Sequence, residues 1–92
     1  MNLQKYILDN KEEYYQLAIE YYYNIDEDHR NDLSQIVLKS ISVLVVHEFI
    51  PTPCIEIKIE LQHQNEQKGI STYYLYVNEE KEFIDEFLID NN

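Results

Sequence analysis

The sequence predicts an α+β domain in which an N-terminal amphipathic helix packs on an antiparallel β-meander of three to four strands. Three observations predict it. Apolar residues recur at helical spacing near the start, Ile and Glu alternate strictly in the middle, and the clusters at 51–53 and 63–69 punctuate the chain between apolar runs. Ninety-two residues, 45% of them hydrophobic, suffice for one core, so residues 1–92 read as a single domain.

In residues 3–24, Leu3, Ile7, Tyr14, Leu17, Ala18 and Tyr21 fall on one helical face, and Ile25 continues the stripe. At 100° per residue the opposite side collects Asp9, Glu13, Gln16, Glu20 and Tyr23. Asn10 followed by Glu13 has the form of a capping box, so a short helix, a break near residue 10 and a longer helix is the alternative. Residues 24–32 are almost wholly polar and read as a solvated connection. From Leu33 to Ile50 the segment favours strand, with Ile41, Val43, Val45, His47 and Phe49 alternating, although Leu33, Ile36, Val37 and Ile41 also suit a short helix.

Pro51-Thr52-Pro53 ends that element, because proline donates nothing to a ladder. Ile55, Ile57, Ile59 and Leu61 alternate with Glu56, Lys58, Glu60 and Gln62, the pattern of a half-buried strand. Residues 63–69 hold the only glycine and read as a hairpin loop, and Ile70 to Val77 forms the next strand. Beyond Asn78 two readings stand. One is a capped helix using Phe83, Ile84, Phe87 and Leu88; the slightly favoured one is a hairpin turn at 78–81 and a strand with Phe83, Phe87 and Ile89 on one side.

Eighteen acids against seven Lys/Arg set the net charge at −11, which repels nucleic-acid phosphates and anionic lipid and favours a cationic partner. The longest aliphatic run, Val43 to Val46, is far too short for a membrane span, and the first residues lack the apolar core of a signal peptide. One cysteine and no Asn-x-Ser/Thr sequon agree with a reducing compartment, so a cytoplasmic location is expected. Chemistry finds little support. Cys54 reads as a small, partly buried residue, His47 as a core-edge histidine, and His29 and His63 as solvated loop residues. No metal-ligand spacing occurs, and Asp26-Glu27-Asp28 lacks the glycine and distant Glu of a calcium loop. No catalytic residue, metal or cofactor is expected.

Residues 9–32 carry eight acids and two bases, net −6, and residues 79–90 carry six acids and one base, net −5. These two segments hold the whole charge excess. Tyr14, Tyr15, Tyr21, Tyr22 and Tyr23 lie in the first, and Tyr73, Tyr74 and Tyr76 lie just before the second. Tyrosine buries a large ring while keeping a polar tip, which interfaces favour. Solvated acids on any amphipathic helix would give part of the same pattern. Tyr23 stands out because the helical wheel places it among carboxylates.

The Tyr-rich acidic leading helix, the strand Ile55-Glu56-Ile57-Lys58-Ile59-Glu60 and the closing Tyr74-Leu75-Tyr76-Val77-Asn78-Glu79-Glu80-Lys81-Glu82-Phe83-Ile84-Asp85-Glu86-Phe87 resemble the small acidic immunity proteins that bacteria encode beside contact-dependent or polymorphic toxins. That resemblance implies a cytosolic, non-enzymatic inhibitor that neutralises one cognate toxin, frequently a nuclease, by covering its basic substrate-binding surface. The charge map then nominates Asp9, Glu13, Glu20, Tyr23, Asp26, Glu27 and Asp28, together with Glu79, Glu80, Glu82 and Glu86, as contacts replacing substrate phosphates. The alternatives are a phage-type nucleic-acid mimic that inhibits a host defence nuclease, and a small regulatory or ligand-binding module with a pocket at Tyr73, Leu75 and Val77.

Overall fold

The computed structural model describes residues 3–25, 33–63 and 69–90. Two N-terminal helices precede a four-stranded antiparallel sheet, the α+β arrangement expected. Helix α1 spans Leu3–Asp9 and α2 spans Lys11–Tyr23, so the break at Asn10 replaces the continuous helix over 3–24. The capping box does not form. Asn10 turns its side chain back, donating from Nδ2 to the Tyr6 carbonyl at 2.8 Å, and so serves the end of α1 rather than the start of α2. Its own carbonyl accepts from the Glu13 and Tyr14 amides and starts α2.

After the break α2 buries residues spaced by four, namely Tyr14, Ala18 and Tyr22. Tyr22 therefore takes the deep position expected of Tyr21, and its ring meets Tyr73 edge-on at 5.8 Å. Leu3, Leu17, Tyr21 and Ile25 pack around the margin of the same core.

Strands β1 (Leu33–Leu44), β2 (Cys54–His63), β3 (Ile70–Val77) and β4 (Phe83–Asp90) lie in chain order, leaving β1 and β4 at the sheet edges. Ile55, Ile57, Ile59 and Leu61 are fully buried and pair with Val77, Leu75, Tyr73 and Ser71. Their register puts the apolar sides of β2 and β3 together under α2, where each large aliphatic residue contributes about 1.5–3 kcal/mol of transfer free energy. Tyr73, Leu75 and Val77, where the ligand-binding alternative sets its pocket, lie in the core under α2 without solvent exposure.

The alternation from Ile41 to Phe49 does not continue as one strand. β1 stops at Leu44, and His47 Nδ1 accepts from the Phe49 and Ile50 amides at 3.1 Å each, which closes a turn. Val45 and Phe49 are exposed, while Ile50 folds back to pack with Cys54 and Tyr76 on the far side of the sheet. The C-terminal segment is a strand and not the capped helix. Its irregularity at Tyr76/Val77 separates Phe83 from Phe87 and Ile89: Phe83 pairs with Val77, and its ring lies 5.2 Å from that of Tyr21.

Candidate functional site

The turn at residues 78–82 sets Lys81, the one base of the second acidic segment, against Glu13 of the first. Asn78 organises the turn, accepting on Oδ1 from the Glu80 and Glu82 amides at 2.9 Å each and donating Nδ2 to Glu82 Oε1 at 2.9 Å. The Asn78 side-chain bond first, and a hydrogen bond with the Glu80 side chain second, hold the exposed Glu82 carboxyl below the usual carboxylate range. Lys81 takes a left-handed backbone conformation, φ 66°, which costs a non-glycine residue energy unless its surroundings hold it there.

What holds it is α1 and α2. Lys81 Nζ donates to the Tyr6 hydroxyl at 3.1 Å and to Glu13 Oε2 at 3.1 Å. It also lies 5.2 Å and 5.3 Å from the centroids of the Tyr6 and Tyr14 rings, within cation–π range. The bonds to Tyr6 and then Glu13 raise the Lys81 pKa, keeping the ammonium charged. Since Glu13 is well exposed, the ion pair itself contributes at most about 1 kcal/mol. Its consequence is geometric, because one cation ties the C-terminal hairpin to the acidic side of α2.

Between them runs an open groove of about 480 Å³ lined by Glu12, Glu13, Gln16, Leu17, Glu20 and Lys81. Glu13 and Glu20 stand there as the helical wheel placed them. Glu12 was missed, although Glu12, Gln16 and Glu20 recur at intervals of four and all are exposed. Lys81 was missed as the organiser because a lone base in an acidic tail carries no local signal.

The other nominated residues divide. Glu79 and Glu80 are exposed on the hairpin and, with Pro53 and Asn78, line a hollow of about 220 Å³. Asp9 is exposed at the end of α1 and does not line the groove. Tyr23 is 43% exposed, with its ring 5.6 Å from that of Tyr22. Asp26, Glu27, Asp28 and His29 lie outside the described residues.

Glu86 is committed inward. Its Oε1 accepts the Tyr73 hydroxyl at 2.7 Å, and burial first, then this bond, pushes the Tyr73 phenol far above its ordinary pKa. Tyr76, bonded to Glu56 Oε2 at 2.8 Å, is raised for the same reasons.

His63, expected to be solvated, is half-buried at the end of β2, with Nε2 2.9 Å from Ser71 Oγ. The Ser71 hydroxyl donates to Asp90 Oδ1 at 2.6 Å. In this order the serine lies between histidine and acid, unlike a nucleophile triad, and the buried hydroxyl joins the ends of β2, β3 and β4. Cys54 is buried, and burial pushes its thiol pKa up.

Among the described residues no group of three His, Cys, Asp or Glu side chains is placed to hold a metal ion, and no helix is long and apolar enough to cross a membrane. A second groove, about 410 Å³, lies where α1 and the start of α2 face β1, with Ile7, Leu8, Lys11, Tyr15, Ile41 and Val43 among its lining residues. No family model matches this chain, and neither does any curated protein or solved structure.

Proposed function

We propose that the protein is a non-enzymatic inhibitor of the immunity type, cytoplasmic, which neutralises a cognate toxin, a nuclease by preference, by covering its basic substrate-binding surface. The observation that carries this reading is the joining of α2 and the 78–82 hairpin by Lys81. That contact sets the hairpin beside a groove on α2 in which the carboxylates of Glu12, Glu13 and Glu20 share one surface. Such a surface steers a cationic partner toward it and sets carboxylates where the partner would otherwise hold phosphate. Close charge pairs of this kind couple by roughly 1.5–7 kcal/mol, which makes tight binding feasible for a chain of this size.

Affinity capture with tagged protein from the source organism tests the proposal. One basic toxin or nuclease, retained at low salt and weakened at high salt, is the expected result. A second reading, a small ligand-binding module, draws support from the groove beside β1, whose volume falls within the range of small-molecule sites. It predicts instead a small molecule retained through purification and no basic protein captured.

A further inference from the structure

β1 and β4 are both edges, but β1 is guarded by a lysine and two irregularities, whereas β4 from Asp85 onward is guarded by acids alone. Edge strands present unpaired N–H and C=O groups, and proteins blunt them with charged side chains, lysine above all, with proline or with bulges. β1 carries Lys39 and two register irregularities, at Leu33/Gln35 and Leu38/Ser40. From Asp85 to Asp90, β4 pairs with β3 without interruption and contains no lysine, proline or glycine. Among the described residues nothing pairs with its outer side. Phe87 and Ile89 are 46% and 48% exposed, and they face away from the helices beside Tyr74 and Thr72.

We propose that β4 accepts an added strand from a basic partner. An extended segment runs antiparallel along the outer edge, with cations opposite Asp85, Glu86 and Asp90 and apolar side chains opposite Phe87, Leu88 and Ile89. The inference rests on the reading of the protein as a binder of a basic partner and specifies how part of that partner is held. Glu86 and Asp90 each accept one hydroxyl from β3 and retain lone pairs for an incoming cation.

The same acids disfavour a second copy as the occupant. A symmetric antiparallel pair with the helices on one face must set a β4 residue opposite itself. Centred on Glu86 it opposes Glu86 to Glu86, and centred on Leu88 it opposes Glu86 to Asp90. Centred on Phe87 it still leaves Glu86 diagonal to Glu86 and Asp90 of the copy. Net charge of −11 on each copy adds long-range repulsion.

The test uses the full chain and a terminally blocked synthetic peptide, Thr-Lys-Val-Ile-Val-Lys-Lys-Thr, with two further versions N-methylated on one or the other alternate set of backbone amides. The expected result is binding by the parent peptide with slowed hydrogen exchange at alternate amides of β4. One methylated version binds at least tenfold more weakly while the other keeps its affinity, and Asp85→Lys weakens the parent peptide with the circular dichroism unchanged. Equal binding by both methylated versions shows charge attraction alone and overturns the proposal, as does no binding at all. Concentration-dependent dimerisation that protects β4 without peptide also overturns it. Capture of a basic protein that leaves the β4 amides unprotected overturns strand addition while the acidic-groove reading survives. Strand addition with no basic protein partner leaves the reverse.

Discussion

The acids of α2 and those of β4 are equally charged in the sequence and differ in what they do. Glu12, Glu13 and Glu20 project from a helix whose other side is packed, and beyond the Lys81 contact of Glu13 their carboxylates are free to meet a partner. Glu86 and Asp90 lie beside the largely buried β3 and accept its buried hydroxyls from Tyr73 and Ser71. A carboxylate on a solvated helical face is available for recognition, whereas one opposite a buried donor first satisfies the fold. Net charge therefore overstates the number of contacts a partner can make with α2-like freedom.

Reversing charge on the α2 side breaks the comparison most strongly. Glu12→Lys with Glu20→Lys is expected to weaken the basic partner by about 3 kcal/mol, roughly a hundredfold, while chemical denaturation shows stability within about 0.5 kcal/mol of the parent. Glu86→Ala is expected to do the opposite. It strands the Tyr73 hydroxyl and lowers unfolding free energy by about 1–3 kcal/mol, and Glu86→Gln, which keeps an acceptor, recovers part of the loss in the same denaturation experiment.

A smaller effect sharpens the role of Lys81. Lys81→Ala releases the hairpin from α2 at a stability cost of at most about 1 kcal/mol, and its visible result is faster hydrogen exchange at the Lys81 and Glu82 amides.

Titration separates the packed sheet from the hairpin turn. The phenols of Tyr73 and Tyr76 are raised, so the folded protein holds protons that the unfolded chain releases near pH 10. Their stabilisation is complete below that pH and is lost as pH rises toward the raised values. Tyr73 and Tyr76 are thus expected to ionise late, and Tyr14 and Tyr15, whose phenols burial also raises, add to the same delayed step in absorbance at 295 nm. Glu82 has the opposite sign. Its depressed pKa stabilises the turn above the ordinary carboxylate range and ceases to do so as pH falls through and below it.

Much of the fold was legible because β2 and β3 alternate strongly and sit centrally, where burial on one face and a single register agree with local pattern. The C-terminal strand was harder, since Phe83 through Leu88 satisfies helical and strand spacing alike, and pairing with β3 decides it. The end of β1 was misread because His47 uses its ring nitrogen to close a turn, a tertiary choice that alternation does not display. At the site, the helical wheel found Glu13 and Glu20, but Glu86 was nominated by charge alone. Its commitment depends on Tyr73 lying across β3 within reach, a contact between residues 13 apart.

The most direct measurement is the affinity of the captured basic partner for the parent protein and for the Glu12→Lys, Glu20→Lys variant, by calorimetry at low and high salt. The account predicts a loss near a hundredfold at low salt that narrows as salt rises, with both proteins equally folded. Equal affinity of the two folded proteins at both salt concentrations would contradict the claim that the α2 groove is the binding surface.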